Sequence, residues 1–269
     1  MLRTDWHQLA EPTRSAIESR SGRVVHATTA AEGLNSALAL LLDTDNGTKL
    51  FVKGLRTDHP GVVTQNREAM IAPHLGEIAP RLRWQVEVDG WNLLAFDRID
   101  GRHADYSPGS PDVEHVIDAI NVMSKVQCPD VAVKLAEKRW GGYVDTDDER
   151  ALLCGEALLH TDYNPANVLI NGSMAYLIDW AWPTRGAAWI DPACLVVRLI
   201  AAGNAPADAE LLAGRATAWA EASTESLDIF SRALYRMWSD IAQHDPASWK
   251  TTMQASARAW MDHRLCLIS

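Results

Sequence analysis

Four polar residues of the chain are of types that could act on a phosphate or a hydroxyl group: His160, Asp162, Asn167 and Asp179. Between Asn167 and Asp179, two short apolar runs flank an Asn-Gly pair at 171–172, which is typical of a hairpin turn because both residues tolerate a positive φ angle. A loop, a hairpin and a carboxylate at the end of the second strand would bring Asp162, Asn167 and Asp179 to one edge of a sheet. Such a trio could hold Mg²⁺ and orient a hydroxyl group.

The elements that must position these residues change in character along the chain. Apolar and alternating runs predict strands over residues 24–29, 36–43, 49–53, 82–88 and 91–99, with a helix over residues 63–75 that Pro73 should kink or end. From Pro111 onward the patterns favour helices, over residues 112–126, 149–158, 191–200, 206–222 and 225–240. We therefore expect an α+β fold with a β-rich N-lobe over residues 1–101 and a mainly helical C-lobe over residues 102–269.

Composition limits the classes of protein to which this pattern could belong. The 269 residues suffice for one large domain or a two-lobed unit, and 47% of them are hydrophobic, so a sizeable core is expected. The net charge of −10 argues against a nucleic-acid surface. The longest apolar run, residues 37–42, is far too short to span a bilayer, and the N-terminus lacks a signal-peptide pattern. The four cysteines form no C-x-x-C pair and no zinc pattern, so we expect a cytoplasmic protein with reduced thiols.

The order of these features resembles the aminoglycoside phosphotransferase and choline kinase group of the protein-kinase-like superfamily. The resemblance rests on Lys53 in the third strand, Glu68 in the following helix, and the motif H-x-D-x-x-x-x-N at 160–167 followed by Asp179. It covers about residues 24–200. It implies a two-lobed protein-kinase-like fold and an enzyme that transfers phosphate from ATP or GTP to an alcohol group, with Mg²⁺ as the metal.

Phosphoryl transfer needs groups that hold phosphates, a metal ion and a hydroxyl in line. Asp162 is the expected catalytic residue, since a carboxylate within reach of the acceptor hydroxyl can orient it and take its proton. Asn167 and Asp179 supply oxygen ligands of the kind that Mg²⁺ prefers. Lys53 would bind the α- and β-phosphates, and Glu68 would hold its ammonium group.

The remaining nucleotide contacts depend on loops. Gly33, Asn35 and Ser36 form a reduced phosphate loop by the resemblance, although an ordinary hairpin turn would have the same composition. The backbone near Asp97 and Ile99 is expected to bind adenine.

Two further residues are expected to support the catalytic loop. His160 would brace the loop by hydrogen bonds. Asp191 precedes a proline and is expected to cap a helix, and the resemblance adds a supporting role for the catalytic loop.

The acceptor site is less well marked. If the acceptor is a polycation, carboxylates should line its site. The candidates are Asp145, Asp148, Glu221, Glu225 and Asp228. The chain also has eleven tryptophans, so an aromatic-walled pocket for a less charged antibiotic, a nucleoside or a sugar is an equal alternative.

The sequence therefore predicts a small-molecule kinase with an antibiotic-like acceptor, an aminoglycoside or a related compound, and a role in antibiotic resistance. Its partners would be a nucleoside triphosphate and a small-molecule hydroxyl acceptor, with neither nucleic acid nor membrane. One alternative is a metabolic kinase for choline, an amino alcohol, homoserine or a sugar. Another, from a different class, is a nucleotide-binding regulator without turnover.

Overall fold

The computed structural model of the protein describes residues 3–30 and 36–268. The chain divides into two compact units, each with its own set of sheets and helices. The first holds the chain up to Gly101 together with Tyr176–Ala181, and the second holds Arg102–Ala175 and Trp182–Ser269. The α+β class expected from the sequence is confirmed, with a β-rich first part and a helix-rich second part.

An antiparallel sheet of five strands is the centre of the first unit. Its strands are β1 (Val24–Thr29), β2 (Leu38–Thr44), β3 (Lys49–Arg56), β4 (Leu82–Val88) and β5 (Trp91–Asp97). They lie in the order β1-β2-β3-β5-β4, which makes β3 the central strand. Lys53 of β3 lies opposite Ala39 of β2 and Leu94 of β5, so its backbone is held from both sides.

One face of this sheet packs on α1 (Glu11–Ser21), a helix that the sequence pattern did not indicate. Leucine and valine side chains of β2 and β3 form the core together with Ile17 of the helix. The buried residues of α1 recur every fourth position, but Ile17 is the only strongly apolar one, with Thr13 and Ser21 as its neighbours. A helix that buries hydroxyl groups leaves a weak hydrophobic pattern. Ser21 compensates by accepting a hydrogen bond from the indole of Trp84 at 3.1 Å.

The helix α2 (Val62–Ile71) carries Glu68 and is fixed to the sheet by polar contacts. Its buried residues Gln65, Glu68 and Ile71 are spaced by three and share one face. The side-chain amide of Gln65 donates to the carbonyl oxygens of Lys53 and Asn92, each at 3.3 Å. The helix ends before Pro73, as predicted, and a short 3-10 helix, Ala72–His74, follows it.

The second unit combines short strands with longer helices. Its strands are β6 (Arg102–His103), β7 (Lys134–Leu135), β8 (Ala157–Leu159), β9 (Val168–Asn171), β10 (Met174–Leu177), which continues into the first unit, and β11 (Thr184–Gly186). Its helices are α3 (Asp112–Met123), α4 (Ala136–Arg139), α5 (Asp147–Ala151), α6 (Ile190–Ala201), α7 (Pro206–Ala213), α8 (Thr224–His244) and α9 (Ser248–Ile268). The strands form two sheets, in the orders β10-β9-β6 and β7-β11-β8. The predicted hairpin around residues 171–172 is confirmed by β9 and β10.

A buried arginine ties the last three helices together. Arg264 of α9 donates to Glu210 of α7 at 2.5 Å and to Asp228 of α8 at 2.6 Å. The indole of Trp260 donates to the second oxygen of Glu210 at 2.6 Å. Because the charges are paired and hydrogen-bonded, the cost of burying them is offset. Within the described part of the chain, neither these helices nor any other combines the length and apolarity that a bilayer crossing requires.

The helix predicted over residues 149–158 is wrong. The helix α5 ends at Ala151, and β8 begins at Ala157 and pairs with β11. Gly155 lies just before β8, and a Cβ atom at this position would lie 2.5 Å from the carbonyl oxygen of Gly186. A second chain segment thus lies against Gly155, and the residues after it form a strand where a helix was predicted.

The helix predicted over residues 206–222 is interrupted. Its first part, α7, ends at Ala213, and Gly214 follows as the C-cap. A 3-10 helix, Thr217–Glu221, forms the remainder. Glycine has a low helix propensity, which accounts for the break. The next predicted helix, over residues 225–240, corresponds to α8, which extends a few residues beyond the predicted end.

Asp112, the first residue of α3, forms an ion pair with Arg102, the residue at which the second unit begins. Its carboxylate accepts hydrogen bonds from both terminal nitrogens of Arg102, one of them at 2.7 Å, and from the amide of Asp105 at 2.8 Å. The hydrogen bond from Arg102 lowers the pKa of Asp112 against the opposing effect of burial, and the Asp105 amide adds to this lowering.

Replacing this carboxylate should destabilise the protein in a pH-dependent way. Asp112→Asn is expected to lower the free energy of unfolding by about 1–2 kcal/mol near neutral pH. Because folding lowers the pKa of Asp112, its contribution is present above the unfolded pKa of about 4 and is lost as the pH falls through the folded value. The difference in Tm between variant and wild type should therefore shrink between neutral pH and about pH 3. The control variant Asp118→Asn, at an exposed position of the same helix, should unfold like the wild type. If Asp112→Asn lost the same amount of Tm at both pH values, the ionised Asp112 carboxylate would not be the source of the stability.

Candidate active site

Lys53 lies within a buried charge cluster of the first unit. Its ammonium group contacts the carboxylate of Glu68, and its Nζ lies 3.2 Å from Oδ1 of Asp179. Lys53 is 8% exposed and Glu68 is 4% exposed. The strand β3 supplies the lysine, α2 the glutamate, and the segment after β10 the aspartate. The structure thus brings together three residues that the sequence predicted for nucleotide and metal binding.

The charge of Lys53 is maintained by these two carboxylates. Burial alone would lower its pKa, but the charges of Glu68 and Asp179 outweigh burial and raise the pKa well above the usual value. The side chain is therefore a fixed cation at neutral pH.

Asp179 is held in an uncommon backbone conformation. Its φ angle is 59°, in the left-handed region that aspartate tolerates better than most residues. The following residues fix the turn, because the amide of Ala181 donates to the carbonyl oxygen of Asp179 at 2.8 Å and the indole of Trp180 donates to that of Leu177 at 3.1 Å. Trp180 is 2% exposed, so its ring is packed inside the protein. The Asp179 side chain remains 29% exposed.

The other nucleotide-binding candidates are only partly placed. Gly33 and Asn35 lie outside the described residues, and Ser36 is half-buried just before β2. Asp97 ends β5, where its amide donates to the carbonyl oxygen of Arg81 at 2.9 Å. The N–H of Asp97 is therefore used within the protein, and Ile99 is half-buried. The adenine contacts expected of this segment stay a prediction.

The loop of residues 160–167, the catalytic loop, places Asp162 beside Asn167 in the second unit. Nδ2 of Asn167 donates to Oδ2 of Asp162 at 2.9 Å. A short 3-10 helix, Pro165–Asn167, sets this geometry, and the side chain of Asn164 caps it by accepting from the amide of Ala166 at 3.1 Å. Since the amide nitrogen of Asn167 is used by Asp162, its amide oxygen is the atom suited to a cation.

His160 lies inside the protein rather than at its surface. It is 2% exposed, and its Nδ1 accepts a hydrogen bond from the amide of Asp162 at 3.2 Å. Its ring lies 5.6 Å from the ring of Tyr163. These contacts support the bracing role expected from the sequence.

Asp191 binds the catalytic loop. Its carboxylate accepts from the amide of His160 at 3.0 Å and from that of Thr161 at 2.8 Å. Burial raises the pKa of Asp191, and these hydrogen bonds oppose that effect. The expectation that Asp191 caps its own helix is wrong, because α6 begins at Ile190 with Trp189 as the N-cap. The carboxylate is already within the first turn and satisfies the loop amides instead.

Thr161 is a β-branched residue in the left-handed region, with a φ angle of 68°. This conformation costs about 1–2 kcal/mol for a residue with a Cβ atom. Two contacts hold it: the Asp191 carboxylate on its N–H, and Arg139, whose Nη1 donates to the Thr161 hydroxyl at 2.6 Å. Arg139 was missed from the sequence, because it lies 22 residues away and belongs to no motif.

Arg198 is the second residue that the sequence reasoning missed. Its Nη2 lies 2.7 Å from Oδ1 of Asp162, so a guanidinium group contacts the expected catalytic carboxylate directly. One signal was available: Arg198 follows Asp191 by seven residues in a predicted helix, which places both on one face.

The chain is similar to known phosphotransferases in part of its sequence and in its fold. Residues 119–230 match the model of the phosphotransferase enzyme family. Choline kinase LicA from Streptococcus pneumoniae superposes with a TM-score of 0.63 at 13% identity, over 93% of this chain and 98% of that one. Macrolide 2′-phosphotransferase MphH from Brachybacterium faecium gives 0.54 at 17% identity, over 91% and 96%.

A third structure, of an aminoglycoside phosphotransferase, is similar over the same range. A thermostable mutant of APH(4)-Ia in ternary complex with AMP-PNP and hygromycin B gives a TM-score of 0.59 at 15% identity, over 93% of this chain and 99% of that one. No curated protein is significantly similar in sequence. The chain has the fold of the aminoglycoside phosphotransferase and choline kinase group.

The family resemblance inferred from the sequence is thereby confirmed, for residues 119–230 by the family model and for the fold by the solved structures. The segment that matches the phosphotransferase enzyme family contains Asp162, Asn167 and Asp179. It also contains Asp191 and Arg198, so the contacts around the catalytic loop belong to the matched part of the chain.

The carboxylates proposed for a cationic acceptor do not form one cluster in the structure. Asp145 lies 2.7 Å from Arg236 and 3.2 Å from Arg232, and Asp228 binds Arg264. Asp148, Glu221 and Glu225 are exposed. In the described part of the chain, no hydrogen bond joins these five candidates to one another. Two of them are therefore already neutralised by arginines.

Thr161 offers a test of how the catalytic loop is held. Thr161→Val keeps the shape and the backbone strain but removes one acceptor from Arg139, so it should lower the free energy of unfolding by about 1.5–3 kcal/mol. Thr161→Ser keeps the hydroxyl and should unfold close to the wild type. Urea denaturation of the three proteins measures the difference. If the valine and serine variants unfold at the same urea concentration, the hydroxyl contact does not hold the loop.

Proposed function

We propose that the protein transfers the γ-phosphoryl group of ATP or GTP to a hydroxyl group of a small molecule, preferably an antibiotic of the aminoglycoside type or a related compound. The observation that carries this proposal is the Asp162 carboxylate, which is hydrogen-bonded to Asn167 in a loop fixed by Asp191. The match of residues 119–230 to the phosphotransferase enzyme family supports the same class of reaction.

The charge cluster of the first unit suits the phosphates of the nucleotide. Lys53 is a permanent cation, and Glu68 fixes the direction of its side chain. A buried, oriented ammonium group binds phosphate oxygens without having to lose water or side-chain freedom at the moment of binding. We assign the α- and β-phosphates to Lys53 and a positioning role to Glu68.

The donor atoms present also fit Mg²⁺. Asp179 and Glu68 are two carboxylates beside the Lys53 cation, and carboxylate oxygens attract a divalent cation. Mg²⁺ prefers oxygen ligands and usually takes only one or two carboxylates together with phosphate oxygens and water. Asp179 and the amide oxygen of Asn167 would hold it. When bound, the ion would neutralise charge on the phosphates.

The chemical step then falls to Asp162. The acceptor oxygen forms a bond to the γ-phosphorus as the bond from this phosphorus to the bridging oxygen of the nucleoside diphosphate breaks, and the proton of the hydroxyl passes to the Asp162 carboxylate. The side chain of Asp162 is 37% exposed, so an acceptor can reach it. Asn167 limits its rotation by holding Oδ2.

The proposed acceptor class is supported by proteins of the same fold. APH(4)-Ia is an aminoglycoside phosphotransferase with a structure bound to AMP-PNP and hygromycin B, and MphH is a macrolide phosphotransferase. A role in antibiotic resistance is proposed on this basis. LicA is a choline kinase of the same fold, which keeps a metabolic alcohol such as choline as the second candidate.

The protonation role of Asp162 leads to a direct test. Asp162→Asn keeps the size of the side chain but cannot take a proton, so kcat should fall by about 10²–10⁴-fold. The dissociation constant for Mg·ATP should stay within about twofold of wild type, since Asp162 is assigned to the hydroxyl and not to the phosphates. Coupled ADP release and calorimetric nucleotide titration measure the two quantities.

A control separates this result from a general loss of charge. Asp130→Asn removes an exposed carboxylate of the same unit and should leave kcat unchanged. Full turnover by Asp162→Asn would overturn the assignment of Asp162.

The acceptor can be identified by a screen of ADP release against aminoglycosides, macrolides, nucleosides, choline, homoserine and sugars. Turnover with an antibiotic, together with an increased inhibitory concentration of that antibiotic in cells expressing the protein, is the expected result. Turnover confined to choline or another metabolite would replace the antibiotic by the second candidate. Tight nucleotide binding without turnover of any acceptor would favour the nucleotide-binding regulator.

A further inference from the structure

The two oxygens of the Asp162 carboxylate have different partners. Oδ2 accepts from Nδ2 of Asn167 at 2.9 Å, and Oδ1 lies 2.7 Å from Nη2 of Arg198. The amide of Asn164 is a weaker contact of Oδ1, at 3.4 Å. A carboxylate oxygen has more than one lone pair, so each oxygen can still accept a further hydrogen bond.

Arg198 reaches Asp162 from the helix that also holds the catalytic loop. It lies two turns after Asp191 in α6, and both side chains leave the same face of the helix. Asp191 binds the backbone amides of His160 and Thr161, and Arg198 binds the carboxylate of the next residue. One buried helix therefore fixes both the backbone of the loop and the side chain of its reactive residue.

The other side of Arg198 is packed. Its side chain is 13% exposed, Nη1 lies 3.3 Å from the sulfur of Met253, and the guanidinium carbon lies 5.9 Å from the ring of Trp238. These two residues belong to α9 and α8. The guanidinium group is thus placed between apolar side chains and a single carboxylate among the described residues, Asp162. Few other orientations would keep its charge paired.

We propose that Arg198 is a positioning residue for phosphoryl transfer: it binds Oδ1 of Asp162 and thereby directs Oδ2 toward the acceptor hydroxyl. The proposal rests on the function proposed above. Arg198 touches neither the hydroxyl nor the phosphates in this role, and acts only through the carboxylate. With Oδ1 held by Arg198 and Oδ2 by Asn167, the plane of the carboxylate is fixed before an acceptor binds. The entropic part of the activation free energy is therefore lower.

A purely structural role predicts a different result. In that case Arg198 would only join α6 to α8 and α9, and its removal would lower stability without changing the turnover of the folded protein. A positioning role predicts a loss confined to kcat. The two roles are therefore separated by the kinetics of the folded protein. Arg264 provides a comparison because it is another arginine of the second unit that is little exposed and paired with carboxylates.

The experiment compares Arg198→Met, Arg198→Lys and Arg264→Met at a temperature where all are folded, with Mg·ATP and with hygromycin B, choline or water as the acceptor. Arg198→Met should lower kcat by about 10–100-fold, while the acceptor KM and the Mg·ATP dissociation constant change by less than about twofold. Arg198→Lys, which keeps the charge but not the forked geometry, should recover part of the loss. Arg264→Met should lower Tm but leave kcat unchanged.

Two further measurements connect the effect to Asp162. In Arg198→Ala, added guanidinium ion should restore part of kcat in a saturable way, and urea, a neutral molecule of the same shape, should not. In the Asp162→Asn background, removing Arg198 should cause no additional loss of kcat, because both act on the same carboxylate.

The possible failures can be distinguished. Wild-type kcat in Arg198→Met, a loss that appears mainly in KM, or an equal loss of kcat in Arg264→Met would overturn the positioning role while leaving the phosphotransferase assignment in place. Absence of turnover by the wild type with every acceptor would overturn the proposed function itself, and the role of Arg198 with it.

Discussion

The pairing of a buried carboxylate, Asp191, with two backbone amides is the interaction on which the rest of the site depends. Asp191 is 2% exposed, and a charge in such a position costs several kcal/mol unless hydrogen bonds replace water. The amides of His160 and Thr161 supply those bonds. The same hydrogen bonds fix the loop of residues 160–167 to α6, a helix most of whose residues are buried. A loop held only by contacts at the surface would not keep Asp162 in one place.

The same principle explains the strained residue in the loop. Thr161 adopts a left-handed conformation that a glycine would adopt more easily. The strain persists because both its N–H and its hydroxyl are bound, by Asp191 and Arg139 respectively. Without such partners a β-branched residue would relax to a negative φ angle and turn the next residue, Asp162, to another direction. Buried polar contacts, more than apolar packing, thus determine the geometry of the loop.

Sequence reasoning succeeded where the determinants are local. The motif at 160–167 and the hairpin after it depend on residues close in sequence, and the pairing of Lys53 with Glu68 follows from a strand and the next helix. It failed where a distant segment decides, as at Gly155, where the neighbouring strand β11 excludes a helix. Arg139 and Arg198 were missed for the same reason. Their partners lie 22 and 36 residues away, and neither arginine belongs to the motif that marks the loop.

The proposed acceptor is harder to derive from sequence because net charge does not describe the charges near Asp162. The chain has a net charge of −10, yet Asp145 and Asp228 are paired with arginines of the same unit. An acidic composition therefore does not by itself attract a cation to the site, since paired carboxylates have little field beyond their partners. The charged group in direct contact with Asp162 is an arginine, Arg198. The side chains that surround this ion pair come from α6, α8 and α9, so only the folded chain brings them together.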